Sequence, residues 1–226
     1  MPPPLFPRPV QAAIFDFDET LIDLEPQHTA AYVALCRAMG SDYFEMPEEF
    51  RHGSGRRIID DVRMMRAHFG WRDSEDALLA RRLTLFDEEC RSADLQLLPG
   101  AEPALRSLHA RAVRMAVTSS AVRSSIAAIL ERFGLLDCFE LIVDGSEVVV
   151  GKPDPEAYLV TAARLGVTPA GCVVFEDSTV GVQAAKAAGM FCVAVRNPQA
   201  KTDQDLSPAD IELGSLLDLD VSWFAE

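Results

Sequence analysis

The chain has 226 residues, of which 49% are hydrophobic and 8% aromatic, and its formal charge at neutral pH is −14. A chain of this length buries roughly 70% of the surface of its unfolded form, which is ample for a globular core. The excess of acidic residues argues against nucleic acid or an anionic membrane as the main partner.

Residues 1–10 contain five prolines and predict a flexible lead-in rather than a signal peptide or a membrane span. No later apolar run is long enough to cross a bilayer. The five cysteines are scattered without a C-x-x-C pair, and the four histidines show no metal-ligand spacing. This pattern predicts a reducing compartment, with the cytoplasm as the default.

The first apolar run begins at Ala12 and ends in two carboxylates at alternate positions, Asp16 and Asp18. A short, continuous apolar run is typical of a strand that is buried on both faces of a parallel sheet. Two like charges at the end of such a strand are costly without a partner. The two residues therefore either cap the following turn or belong to a functional site.

Between about residues 26 and 96 the sequence has helical periodicity and no convincing strand. Three helices are predicted there, one starting near Ala30, one containing Arg57–Val62 and one opened by Ser74. From Val113 onward, strands and helices alternate, which indicates a parallel sheet with helices on both faces. The predicted strands are Met115–Val117, Leu141–Val143, Val173–Phe175 and Cys192–Val195. The predicted helices between them are 122–133, 155–165 and 180–188.

This order predicts an α/β fold, a Rossmann-like doubly wound parallel sheet with an all-helical cap inserted after the first strand. The predicted catalytic core comprises residues 11–26 and 97–226, and the helical cap comprises residues 27–96.

Open parallel sheets bind ligands at the carboxyl ends of their strands. Carboxylates, a hydroxyl turn and a lysine are predicted at that edge: Asp16, Asp18, Thr118, Ser119, Lys152, Glu176 and Asp177. A cluster of carboxylate oxygens suits magnesium better than zinc, and a hydroxyl turn at a helix start suits an anion. Each feature alone has a plain structural explanation as a cap, a turn or a loop residue. Together they predict a site for a phosphoryl group.

These residues resemble the haloacid dehalogenase superfamily of phosphotransferases, whose four motifs match residues 16–20, Thr118, Lys152-Pro153 and Glu176-Asp177. The resemblance extends over nearly the whole chain from Ala12. The helical insertion is similar to the cap of the β-phosphoglucomutase and phosphoglycolate phosphatase branch. Glu19 stands where many members carry glycine.

The resemblance implies a magnesium-dependent phosphatase that acts on a small phosphorylated metabolite, with a sugar phosphate favoured. Asp16 would attack phosphorus and form an aspartyl-phosphate. Asp18 would protonate the leaving oxygen and then accept a proton from water. Thr118, Ser119 and Lys152 would hold the transferring oxygens and offset their charge.

The resemblance also implies the metal ligands. Mg²⁺ would be held by Asp16, by the backbone carbonyl of Asp18 and by Asp177, with Glu176 bound directly or through water. We expect no nucleic-acid or membrane partner, and a monomer or weak dimer.

Residues 51–57 form a small basic turn in the predicted cap. The arginines at its end either pair with acids along the next helix, or Arg56 presents a bidentate fork to the substrate. His28 matches a histidine of the mutase group and is either structural or a second substrate contact. Arg81 and Arg82 are weaker candidates for substrate contact.

Two enzymes compete, a phosphatase and a β-phosphoglucomutase-type mutase, which differ in whether water reaches the aspartyl-phosphate. The run Lys152–Glu156 is similar to the phosphatases of this branch and favours the first. A third hypothesis, an inactive metabolite-binding module, is disfavoured by the intact set of acids, lysine and hydroxyls. Asp18 disfavours a true dehalogenase, which needs no acid two residues after its nucleophile.

Overall fold

A computed structural model describes residues 6–48, 51, 56–197 and 204–224. Its sheet has six strands in the order β3-β2-β1-β4-β5-β6, and every neighbouring pair is parallel. The strands are β1 Ala12–Phe15, β2 Met115–Thr118, β3 Leu141–Val143, β4 Cys172–Glu176, β5 Phe191–Val195 and β6 Ile211–Leu213. The predicted doubly wound parallel sheet is confirmed.

The described part of the chain contains seven α-helices. They are α1 Glu25–Ala38, α2 Ile58–Phe69, α3 Glu75–Ser92, α4 Ala101–Ala110, α5 Arg123–Arg132, α6 Glu156–Leu165 and α7 Thr179–Ala187. Local sequence sets several of their ends. The Ser74 hydroxyl accepts a hydrogen bond from the Ala77 amide at the start of α3, and Gly70 ends α2 in the left-handed conformation.

Two elements were not predicted from the sequence. Helix α4 follows Gly100, and its apolar face, which includes Leu105 and Leu108, packs on the sheet. Strand β6 has only three residues and lies at the sheet edge beside β5. Such a short edge strand has too few residues to show a periodic pattern.

The core lies on both faces of the sheet because successive side chains of a strand point to opposite sides. From β1, Ala13 and Phe15 pack in one cluster with side chains of α4 and α5. Ala12 and Ile14 pack in the other cluster with side chains of α6 and α7. Strand β1 is therefore completely covered, and the polar residues that follow it lie at the edge of a rigid layer.

The three helices that follow β1 enclose a third apolar cluster, which includes Tyr32 from α1, Val62 from α2 and Leu78 from α3. This cluster gives the helical cap a core of its own, whereas Phe86 of α3 packs with the sheet. The boundaries at residues 26 and 97 stay a prediction.

The predicted flexible lead-in is wrong from Phe6 onward, and residues 1–5 lie outside the described part. Phe6 is buried, and its ring makes edge-to-face contacts with Phe191, Trp223 and Phe224 at centroid distances of 5.2, 5.8 and 5.3 Å. An aromatic ring that gains this much contact offsets the ordering of a proline-rich segment. Within the described ranges, no helix combines the length and the apolar character that a bilayer crossing needs.

Candidate active site

Three of the four acids predicted to converge lie together at the carboxyl edge of the sheet. Strands β1 and β4 are neighbours with Phe15 paired to Phe175, so Asp16 and Glu176 follow at the same level. Asp16, Glu176 and Asp177 are all buried, and each offers a carboxylate oxygen within 4.8 Å of the others. The Asp18 carboxylate is not part of this cluster of described acids.

Lys152 binds two of these acids. Its Nζ lies 2.5 Å from Asp16 Oδ1 and 2.5 Å from Glu176 Oε1. Burial alone would lower the pKa of Lys152, but the two carboxylates outweigh it and the pKa is raised, so the lysine is charged. Burial, together with Glu176 and Asp18, raises the pKa of Asp16 to about 8 despite the attraction of Lys152.

The Glu176 carboxylate is held by hydrogen bonds on both oxygens. Besides Lys152, Oε1 accepts a hydrogen bond of 2.6 Å from the Tyr158 hydroxyl. Oε2 accepts one of 3.0 Å from the Ser178 hydroxyl and two more from the amides of Asp177 and Ser178. Burial raises the pKa of Glu176, but Lys152 and these donors outweigh it, and the pKa is lowered. Glu176 is therefore a fixed anion that anchors the lysine.

Within the described part of the chain, the Asp177 carboxylate, unlike that of Glu176, is hydrogen-bonded on only one of its oxygens. Its Oδ1 accepts a hydrogen bond of 2.8 Å from the Thr20 hydroxyl, whereas its buried Oδ2 has no hydrogen-bond partner among the described residues. Burial, followed by repulsion from Glu176 and Asp16, raises the pKa of Asp177 well above its usual range. A buried oxygen without a donor, facing other carboxylates, is costly unless a cation binds. The all-oxygen donor set and the unpartnered Oδ2 fit Mg²⁺.

The Asp18 carboxylate is bound by residues at the start of α1. Its Oδ1 accepts a hydrogen bond of 3.0 Å from the Leu24 amide, and its Oδ2 lies 2.9 Å from His28 Nε2. The other ring nitrogen of His28 faces the Arg82 guanidinium. Because arginine only donates, we assign Nδ1 as the acceptor, so Nε2–H donates to Asp18.

Arg82 is fully buried, with its guanidinium 4.3 Å from the centroid of the Tyr32 ring and 4.9 Å from that of Phe86. Arg82 does not line the cleft that is described below. The weaker prediction that Arg82 contacts the substrate is therefore wrong. Arg81, the other weaker candidate, donates to Met39 Sδ at 3.7 Å on the exposed side of the cap.

A cleft opens above the acid cluster and encloses about 470 Å³ of unfilled space, part of it open to solvent. The sheet edge and the cap both contribute to its described lining: Asp16, Asp18, Glu19, Glu25, His28, Arg56, Ile58, Ser119, Ser120, Ala121, Asp177 and Ser178. Arg56 also binds Asp61, whose other oxygen accepts a hydrogen bond of 2.8 Å from the Tyr32 hydroxyl. Arg56 therefore pairs with an acid of the next helix and also lines the cleft, and its contact with substrate stays a prediction. Residues 52–55 of the same turn lie outside the described part.

The structure separates the two hydroxyls predicted to bind phosphate. Thr118 is the last residue of β2, and its buried Oγ1 lies 2.7 Å from Thr161 Oγ1 of α6. Thr161 donates onward to the Ala157 carbonyl, so the Thr118 hydroxyl points into the packing against α6, away from the cleft. Ser119, one residue further, lines the cleft. The prediction for Thr118 is therefore corrected: its hydroxyl is structural.

Sequence reasoning missed Tyr158 and Thr20, which bind Glu176 and Asp177. Tyr158 lies on the buried face of α6, where its spacing is that of an ordinary core residue. Burial and then the neighbouring Glu176 raise the pKa of its hydroxyl well above the usual range, so it stays a donor.

Glu19 has a φ of 60°, the left-handed conformation that glycine adopts at little cost. A glycine would therefore fit this backbone position with less strain than Glu19.

A Rossmann-like sheet with an aspartate-lysine cluster at its carboxyl edge and a helical cap above it defines a hydrolase of the haloacid dehalogenase type. A family model for haloacid dehalogenase-like hydrolases matches residues 10–189, and the chain belongs to this family.

Curated relatives match nearly the whole chain. It is 32% identical over 221 residues to hexitol phosphatase B of Escherichia coli K12, covering 94% of this chain and 96% of that protein. It is 35% identical over 189 residues to a fructose-1-phosphate phosphatase of the same strain, covering 81% and 95%. A crystal structure of β-phosphoglucomutase from Clostridium difficile has a TM-score of 0.80 at 22% identity, covering 95% of each chain, which shows the common fold.

Proposed function

We propose that this chain is a magnesium-dependent phosphatase that releases phosphate from a small phosphorylated sugar or sugar alcohol through an aspartyl-phosphate on Asp16. The observation that carries the proposal is the buried Lys152, which joins Asp16 to Glu176 beneath a cleft lined by both the sheet edge and the cap. The names of the relatives, a hexitol phosphatase and a fructose-1-phosphate phosphatase, support the substrate class.

Asp16 is proposed as the nucleophile. Its backbone is fixed by a hydrogen bond of 2.9 Å from its amide to the Phe175 carbonyl, and its Oδ1 is fixed by Lys152. A carboxylate held this rigidly at the floor of a cleft meets the geometric need of attack on phosphorus. In this scheme Asp16 forms the bond to phosphorus while the sugar oxygen leaves.

Asp18 is proposed as the acid and base. It is less buried than Asp16, with 24% of its side-chain surface exposed, and it lines the same cleft. We propose that it gives a proton to the leaving sugar oxygen and later accepts one from the water that attacks the aspartyl-phosphate. His28 is proposed to position Asp18 through the hydrogen bond to Oδ2, in place of the substrate contact that was the alternative.

Mg²⁺ is proposed to bind between Asp16 and Asp177, whose Oδ2 has no partner among the described residues, with the Asp18 carbonyl as a further ligand. When bound, the ion would supply positive charge against the phosphoryl oxygens and the carboxylates. Glu176 is proposed as an anchor for Lys152, since hydrogen bonds already occupy both of its oxygens. Any contact of Glu176 with the ion would then run through water.

Ser119 and Lys152 are proposed to hold the transferring phosphoryl oxygens, and Arg56 the distal part of the substrate. Ser119 lies at the end of β2, close to the start of α5, where amide groups favour an anion. Arg56 and Glu25 also line the cleft, and a donor beside an acceptor suits a polyhydroxyl compound.

The test is phosphate release from a panel of hexose phosphates, hexitol phosphates and fructose 1-phosphate, with and without magnesium. We expect turnover of at least one member with magnesium, and a loss of about 10⁴-fold or more in Asp16→Asn. Asp73→Asn, in an exposed loop, is the matched control and should retain activity. Acid quenching during turnover should leave a phosphoryl group on the peptide that contains Asp16.

The mutase alternative is tested with β-glucose 1-phosphate, magnesium and a bisphosphate primer. Formation of glucose 6-phosphate faster than free phosphate would replace the phosphatase proposal. If no panel member is turned over and no phosphoryl group is trapped, the chain is a binding module.

A further inference from the structure

Arg57 spans the gap between the cap and the loop that carries Lys152. It precedes the first turn of α2, and its Nη1 donates to the Val149 carbonyl at 2.6 Å. Its Nε and Nη2 bind the two oxygens of Asp60 at 2.8 and 3.1 Å. Only 15% of the side-chain surface is exposed. The guanidinium is therefore oriented by an acid of the cap and directed at a backbone carbonyl of the core.

Two features of the loop before Lys152 favour its contact with Arg57. The amides of Val149 and Val150 donate to Glu156 Oε2 at 3.0 and 2.7 Å, which turns the Val149 carbonyl toward the cap. A Cβ on Gly151 would lie 3.0 Å from both Cγ and Cδ of Arg57, tighter than ordinary contact. Glycine at this position thus lets the arginine stem lie against the loop.

The next residue after Gly151 is Lys152, whose Nζ lies between Asp16 and Glu176. Only Val150 and Gly151 separate the carbonyl that Arg57 binds from the lysine, so a shift of this short loop moves the lysine backbone. Arg56, the neighbour of Arg57, lines the cleft. Adjacent arginines of the cap therefore contact two parts of the site, Arg56 the cleft and Arg57 the loop that carries Lys152.

We infer that Arg57 is a positioning residue, which fastens the cap to the Lys152 loop and so sets the place of Lys152 beneath the phosphoryl group. This inference rests on the proposed function. An ordinary helix-surface ion pair does not explain the arrangement. Arg63 pairs with the same Asp60 at 3.1 Å and makes its second ion pair within the cap, with Glu75.

The experiment compares Arg57→Met, which keeps the aliphatic stem, with Arg63→Met as the matched control. With p-nitrophenyl phosphate, which has no sugar for the cap to bind, we expect kcat of Arg57→Met to fall about 10-fold or more, the effect of one charge-assisted hydrogen bond. Arg63→Met should stay within about 2-fold of the unsubstituted protein, as expected for an exposed pair. Arg57→Lys should recover part of the loss because it retains one donor.

A second variant tests the same contact from the other side. Gly151→Ala leaves every charge in place and crowds the arginine stem, which must move by a few tenths of an ångström, so it should lower kcat in the same direction. If both variants change only KM for the sugar phosphate, Arg57 is a substrate contact and the inference is wrong. If the free energy of unfolding falls while kcat holds, Arg57 is merely structural, and the inference is also wrong.

Hydrogen exchange separates this inference from the proposed function because it needs no turnover. The amides of Val149 and Val150 should exchange faster in Arg57→Met and at the original rate in Arg63→Met. Faster exchange in a protein without phosphatase activity would support the link between cap and loop and overturn the proposed function. An active protein with unchanged exchange and unchanged kcat in Arg57→Met would overturn the inference alone.

Discussion

Gly181 lies in helix α7, where replacement by alanine would ordinarily stabilise the protein. Alanine is favoured over glycine inside a helix by about 1 kcal/mol. Here, however, a Cβ would lie 1.9 Å from Cδ and Oε1 of Glu176 and 2.1 Å from Oε2. That carboxylate has no free direction to move, because Lys152, Tyr158 and Ser178 hold it.

We therefore expect Gly181→Ala to lower the free energy of unfolding, not to raise it. Overpacking costs about 1–3 kcal/mol, and displacing one member of a buried ion pair costs about 3–5 kcal/mol. The two costs describe one displacement and are not added, so subtracting the helix propensity from the larger cost leaves an expected net loss of about 2–4 kcal/mol. Activity should fall as well, since Glu176 anchors Lys152.

The assay is urea unfolding of a double-mutant cycle with Glu176→Ala. Removing the carboxylate creates room, so Gly181→Ala in that background should be neutral or stabilising by up to about 1 kcal/mol. The interaction free energy between the two substitutions is then about 2–5 kcal/mol, and the double variant is more stable than the sum of the two single effects predicts. A neutral or stabilising Gly181→Ala in the unsubstituted protein would refute the placement of Glu176 against α7.

Three further predictions concern the metal, the phosphate and the lead-in. Magnesium at 100 times its dissociation constant should stabilise the protein by about 2.7 kcal/mol in a thermal-shift titration. Asp177→Asn should abolish that shift yet raise the metal-free stability by about 1 kcal/mol, because it removes an acid whose raised pKa makes its burial costly near neutral pH; a retained shift would contradict the site. Ser119→Ala should lower kcat/KM, whereas Thr118→Val should cost about 1 kcal/mol of stability with activity within about 2-fold, and the reverse pattern would restore Thr118 as the phosphate ligand. Phe6→Ala should cost about 3 kcal/mol in urea unfolding, and a cost near zero would show that the segment does not pack on the core.

The sequence predicted the fold class because the patterns that indicate strands and helices are local. The apolar run of β1, the helical periodicity of the cap and the later alternation of strands and helices each follow from the spacing of a few residues. Polar groups at strand ends then pointed to one edge of the sheet, since all parallel strands present their carboxyl ends there. In the structure Asp16 and Glu176 meet at that edge.

Which of two adjacent hydroxyls faces the cleft was decided by the tertiary structure. Successive strand residues point to opposite faces, so a difference of one residue in where β2 ends exchanges Thr118 and Ser119. The end is set by the pairing with β3, where the Ser119 amide donates to the Val143 carbonyl at 3.0 Å. That partner is distant in sequence, and no local pattern contains it.

The sequence by itself determined the elements other than α4 and β6, their order and the chemical types collected at the sheet edge, because periodicity and strand direction are properties of short segments. Tertiary structure alone decided the contacts that turn those groups into a site, such as Arg57 on the Val149 carbonyl and Glu176 against Gly181. Such contacts depend on the angles and distances between elements, which packing sets. A difference of one residue in register, or of about an ångström in distance, would remove them.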